Sequence, residues 1–181
     1  MIHLLSRGYY TAYDDYLSAD LDGEAIFAMA PHPNRVLNLF RECGLMRFLP
    51  FAFYRVCTSM NSIFNTESGN QLSREDLRIA AIGFTHLLRA RQNVIINLNE
   101  PSPDCTNMQG RFIAVHVAVA YLDGDLGTRV LDIAVRKERL RCCNECSSFA
   151  NRRRLCCIKE AWFGLPAMFE LAEWRKLDNA M

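Results

Sequence analysis

The stretch that limits the fold most is Leu45-Met-Arg-Phe-Leu-Pro-Phe-Ala-Phe-Tyr-Arg-Val-Cys57. Pro50 lacks an N–H and has its φ already fixed near helical values, so it suits the first turn of a helix better than any interior position. The apolar residues around and after it cover nearly the whole helical circumference, and a helix of that kind is stable only when other elements surround it. The segment therefore predicts a central core helix anchored by Pro50 and Phe53, with the rest of the chain wrapped around it.

The surrounding segments read as helices. Ahead of the core segment, Val36, Leu37, Phe40 and Cys43 recur at three- and four-residue steps, Pro33 stands at the entrance and Gly44 at the C-cap. Behind it, a polar linker from Asn61 to Leu72 leads to Ser73-Arg-Glu-Asp76, a capping-box start in which the serine hydroxyl accepts from the N–H three residues on. Leu77, Ala80, Ala81, Phe84, Leu87 and Leu88 then form an apolar stripe that predicts a helix to about residue 92. His86 lies beside the stripe and reads as a solvent-facing or hydrogen-bonded structural histidine.

Tyr9, Tyr13 and Tyr16, in a cluster with Tyr10, have helical spacing and read as packing aromatics. Asp20 to Glu24 reads as a turn, because a calcium loop in that register would place Met29 at the bidentate glutamate position. Residues 99–110 carry two prolines and form a loop containing Cys105. Phe112 to Leu122 fits a strand or a helix, and its helical neighbours favour helix. Asp123 to Gly127 is a turn, Thr128 a candidate N-cap, and Val130, Leu131, Ala134 and Leu140 the inner side of a further helix. At the C-terminal end, Gly164 predicts a left-handed stop and Pro166 a new helix start, with Trp162, Phe169 and Trp174 folding back as anchors. The expected fold is all-α, an irregular bundle of about six to eight helices. An acidic, tyrosine-rich segment, 1–32, packs on or leads into a single helical domain, 33–181.

Composition narrows the function classes. The chain has 181 residues, half of them hydrophobic, which supports a core and argues against disorder. Net charge is +1, with five acidic side chains against Arg7 in residues 1–32 and eight basic against three acidic in 129–154. That distribution suggests a polarised surface rather than nucleic-acid binding. The N-terminus lacks a basic region, and the longest apolar run, Phe112 to Leu122, is well short of the ~20 residues a bilayer crossing needs. An intracellular location, cytoplasmic or nuclear, is expected, with no membrane partner. The eight cysteines include two adjacent pairs and accompany no export signal, so they read as reduced thiols.

Zinc is the one cofactor that the residues bring into question. Cys143-x-x-Cys146 has knuckle spacing, and Cys105, Cys156, Cys157 and His116 are candidates to complete it. The second cysteine pair, Cys156-Cys157, is adjacent instead of spaced. On one continuous helix Cys146 and Cys156 would lie ~15 Å apart at 1.5 Å per residue, too far for one ion. Burial in a core explains the cysteines as well, so no cofactor and no metal site are expected, and packing is expected to hold this end. A redox CxxC would need a strand feeding a helix N-terminus, and none is visible. No phosphate-binding glycine loop, G-x-S-x-G or H-E-x-x-H is present, and no catalytic residue is assigned. Arg136-Lys-Glu-Arg-Leu-Arg141 and Arg152-Arg-Arg154 read as solvated helix faces.

Four motifs in order, Phe48-Leu-Pro-Phe-Ala-Phe-Tyr54, Ser73-x-x-Asp76-Leu77 followed by Gly83, Cys143-x-x-Cys146, and Trp162-x-x-Leu165-Pro166-x-x-Phe169-x-Leu171-x-x-Trp174, resemble the region downstream of the BTB/POZ domain in basidiomycete fungal BTB-type proteins. The likeness spans roughly residues 33–177. It implies a non-enzymatic intracellular protein–protein interaction or scaffold module, with a protein partner and with homo-oligomerisation through a BTB domain that would precede this sequence. The alternative is a small structural zinc-binding domain with a regulatory nucleic-acid role.

Overall fold

Aromatic packing around Pro50 organises the structure, a computed structural model that describes residues 10–19, 32–59, 71–98, 102–105 and 143–178. These residues form six α-helices and one 3₁₀ turn, with no strand among them, so the fold is all-α. The helices are α1 (Tyr13–Ala19), α2 (Pro33–Glu42), α3 (Leu49–Thr58), α4 (Arg74–Leu98), α5 (Asn144–Met168) and α6 (Trp174–Asp178), and the 3₁₀ turn is Met46–Phe48. Backbone contacts group the chain into two compact units, Met1–His86 with Phe163–Met181, and Leu87–Trp162.

In the first unit, α3 is the core helix that its sequence predicts. Phe48, Leu49, Pro50, Phe51, Ala52, Phe53, Tyr54, Val56 and Cys57 are all buried, and only Arg55 reaches partway to solvent. α2 packs against it with Val36, Leu37 and Phe40 inward, and Phe40 stacks on Phe48 at 5.1 Å. Pro33 occupies the first turn of α2, and the His32 Nδ1 accepts from the Asn34 N–H at 3.4 Å, an N-cap that the sequence did not advertise. Gly44, at φ 68°, ends α2 as expected: the Leu45 N–H returns to the Phe40 carbonyl at 2.8 Å and the Gly44 N–H to that of Arg41 at 3.2 Å. Cys43, expected on the inner stripe, is the C-cap and is exposed.

Tyr10 and Tyr16 are the inward members of the tyrosine cluster. Both rings meet Phe51, at 5.5 and 6.0 Å, so the N-terminal segment joins this unit through the central helix. Asp20 to Glu24, Met29 and Tyr9 lie outside the described residues, as does most of the polar linker.

Ser73 caps α4 as predicted. Its Oγ accepts from the Asp76 N–H at 3.0 Å and donates to Asp76 Oδ2 at 2.7 Å. The helix runs to Leu98, beyond the expected end, and buries a different face. Asp76, Ile79, Ala80, Gly83, Leu87 and Val94 are inside, whereas Leu77 and Leu88 are 38% and 40% exposed, Ala81 is exposed and Phe84 half-buried. The reason is the Phe169 ring, which lies directly against the Cα of Gly83. Only a side without a Cβ admits a ring that close, so the helix turns its Gly83 side inward. His86 is exposed.

The expected break at Gly164 and Pro166 is absent. α5 continues through both, because proline's fixed φ is helical and glycine has no obligation to leave the helix. It ends instead at Glu170, in the left-handed region at φ 53°, with the Leu171 N–H donating to the Pro166 carbonyl at 2.8 Å and the Glu170 N–H to that of Ala167 at 3.2 Å. Phe169, fully buried, stacks on Phe53 at 5.3 Å. Trp162 and Pro166 are buried within α5, and the half-buried Trp174 opens α6, which packs on the 3₁₀ turn.

Cys57 illustrates how fully this core is closed. Its Sγ donates to the Ala80 carbonyl at 3.4 Å, and burial pushes the thiol up to about 12 from an ordinary 9. A folded-state acid pKa above the unfolded one makes the unfolded chain lose its proton first. Stability is therefore expected to be undiminished by this group below pH 9 and to fall progressively as pH rises from about 9 to about 12. Chemical unfolding across that range, with Cys57→Ala flattening the decline, is the check; an unchanged slope in the variant would remove Cys57 as its cause.

Candidate metal centre

In the second unit, two short segments bring three cysteines together. Ser102 to Cys105 forms a turn closed by the Cys105 N–H to the Ser102 carbonyl at 3.1 Å, and Cys105 is buried. Cys143 immediately precedes α5 and caps it: its carbonyl accepts from the Ser147 N–H at 3.0 Å, and its Sγ accepts from the Cys146 N–H at 3.5 Å. A thiol here does what a serine or aspartate does at other N-caps, satisfying a donor that the helix leaves orphaned. One turn along, Cys146 is buried.

The Cys105 and Cys143 sulfurs lie 3.6 Å apart, and all three sulfurs fall within 4.8 Å of one another. Zinc–thiolate bonds of about 2.3 Å in a tetrahedron place sulfurs about 3.8 Å apart, so the trio needs adjustments of no more than about 1 Å to hold one ion. None of the three is in a disulfide. Their environments differ: the Cys146 N–H, with help from the Cys105 thiol, lowers the Cys143 pKa, while burial pushes the Cys146 thiol up to about 11 against a hydrogen bond from the Ser102 main chain. This group can hold a metal ion, and no other group of three such ligands occurs among the described residues.

Cys143, Cys146 and Cys105 are thus three of the five cysteines singled out in the sequence. Cys156 is not with them. It is exposed, donates to Glu160 Oε1 at 3.6 Å, and sits ten residues up the same continuous helix from Cys146, about 15 Å away at 1.5 Å per residue. Cys157 accepts from Asn97 Nδ2 at 3.7 Å. His116, the 112–122 run, Thr128 and the basic cluster from Arg136 to Arg141 lie outside the described residues.

Of the arginine triplet, Arg153 donates to Asn97 Oδ1 at 3.3 Å and lies over the Phe149 ring at 5.0 Å, and Arg154 donates to Asn151 Oδ1 at 3.3 Å. Only Arg152 is exposed; the other two are half-buried. Among the described residues, no helix is long and apolar enough to cross a membrane. Compared with protein-family models, with curated proteins and with solved structures, the chain matches none.

Proposed function

We propose that this chain is a non-catalytic helical protein–protein interaction module whose cysteine-rich end is clamped by a zinc ion on Cys105, Cys143 and Cys146. The observation that carries the zinc half is the convergence of three sulfurs from segments 38 residues apart, with two of the three thiols buried. Three sulfur donors select zinc over the hard cations, and an ion there closes a long loop that the unfolded chain would leave open. Cysteine burial alone accounts for each thiol singly. It does not account for their mutual approach.

The interaction half draws on the motif order that resembles the region downstream of fungal BTB domains, and on Ile96 and Phe163, which are 54% and 57% exposed. A nucleic-acid role draws no comparable support, since Arg153 and Arg154 are engaged with neighbouring side chains.

Metal content and thermal unfolding of the reduced protein test the clamp. One zinc per chain is expected, with Cys105→Ser, Cys143→Ser and Cys146→Ser each reducing it, Cys156→Ser leaving it unchanged, and a chelator lowering the unfolding midpoint. Metal-free protein with an unaltered midpoint would leave packing alone to hold this end.

A further inference from the structure

The two segments at the metal centre have the same spacing. Ser102-Pro-Asp-Cys105 repeats the pattern of Cys143-Asn-Glu-Cys146 with serine in place of the first cysteine. Their local hydrogen bonds correspond as well. Ser102 Oγ accepts from the Asp104 N–H at 3.3 Å, two residues on, and Cys143 Sγ accepts from the main chain of Glu145 and Cys146, two and three residues on. Ser102 is only 2% exposed, and its own main-chain N–H donates to Cys146 Sγ, which places it at the cluster.

We infer that Ser102 to Cys105 is the second knuckle of a two-knuckle zinc site in which Ser102 stands at the fourth vertex, so that three thiolates and one oxygen donor hold the ion. This rests on the zinc reading above. A neutral hydroxyl or a water is a far weaker zinc donor than a thiolate, so the fourth position is exchangeable, in contrast to the closed four-thiolate sites of purely structural zinc domains. The site is therefore chemically open to an incoming anionic ligand such as a thiolate or carboxylate.

Cobalt(II), whose absorption reports the number of bound thiolates, is the probe, titrated into the reduced protein with zinc in competition. The wild-type complex is expected to show three thiolates. Ser102→Cys is expected to show four and to bind zinc at least tenfold more tightly. Cys142, adjacent to Cys143, and His116, both outside the described residues, are the competing fourth ligands, and Cys142→Ser and His116→Ala are each expected to leave the spectrum and affinity unchanged. A four-thiolate spectrum in the wild-type protein, a loss on Cys142→Ser or His116→Ala, or a Ser102→Cys protein with unchanged spectrum and affinity overturns the assignment of Ser102. Where Ser102→Cys fails to fold, Ser102→Ala keeps the assignment testable: it is expected to keep three thiolates and to weaken zinc binding, and an unchanged affinity overturns the assignment. If the wild-type protein binds neither cobalt nor zinc, the zinc reading itself fails, a result distinct from binding with the wrong fourth ligand.

Discussion

Replacing Phe169 by alanine is expected to lower stability by about 3–5 kcal/mol, and the loss is expected to shrink when Gly83 is replaced by alanine in the same chain. Phe169 is fully buried and stacks on Phe53, itself fully buried, so deleting the ring removes apolar burial and leaves a cavity against a rigid neighbour. Gly83→Ala alone acts in the opposite way, by overfilling. Its new β-carbon would fall on the Cδ1 and Cε1 edge of the ring, which is fully buried with Phe53 stacked on it. That strain is expected to cost about 1–3 kcal/mol even after alanine's helix-propensity advantage of about 1 kcal/mol is counted. With the ring gone, the same methyl group meets space, so Gly83→Ala should change sign and become stabilising. Urea midpoints of the four proteins measure the cycle. Strict additivity would show that the ring does not sit on Gly83.

That contact also marks the limit of what the sequence could reveal. α2, α3 and the Ser73 cap were legible because each is specified by neighbours in sequence: Pro33 and Gly44 bracket one helix, Pro50 opens another, and the aromatics of Phe48 to Tyr54 leave no polar face. The buried side of α4 was not legible, since Leu77 and Leu88 and the set Ala80, Gly83 and Leu87 lie on overlapping faces of one helix. What chooses between them is a ring far along the chain. The end of α5 was misplaced for a related reason. Gly164 and Pro166 are the residues that usually end helices, but the left-handed residue is Glu170, a type that rarely marks one. At the three-cysteine cluster, Cys143 and Cys146 were visible as a pair, whereas Cys105 joins them only through tertiary folding, which spacing along the chain does not report.

Asp76→Ala is expected to cost about 3 kcal/mol, more than the loss of an ordinary helix cap. Its carboxylate has two jobs on its two oxygens. Oδ2 accepts from the Ser73 hydroxyl at 2.7 Å, and Oδ1 accepts from Arg41 Nε at 3.1 Å and Nη2 at 2.9 Å, so one side chain fastens the start of α4 to the last turn of α2. Burial is uneven across the pair: the Asp76 side chain is 8% exposed and that of Arg41 30%. Removing the aspartate leaves a guanidinium that is partly able to recover water, which keeps the cost near the lower end of the 3–5 kcal/mol typical for breaking a buried pair. Removing Arg41 leaves the less exposed carboxylate without its cation, and also lifts the guanidinium from the Phe53 ring, 5.6 Å away. In an Arg41→Met background, Asp76→Ala is therefore expected to cost about 1–2 kcal/mol less than in the wild type, because the charge it would have stranded is gone. Asp76→Asn separates the two jobs further, since an amide oxygen still accepts a hydrogen bond from Ser73 or Arg41 but carries no charge, and its cost should fall between those of wild type and alanine. Equal costs for Asp76→Ala in both backgrounds would reduce the residue to a helix cap with no part in joining α2 to α4.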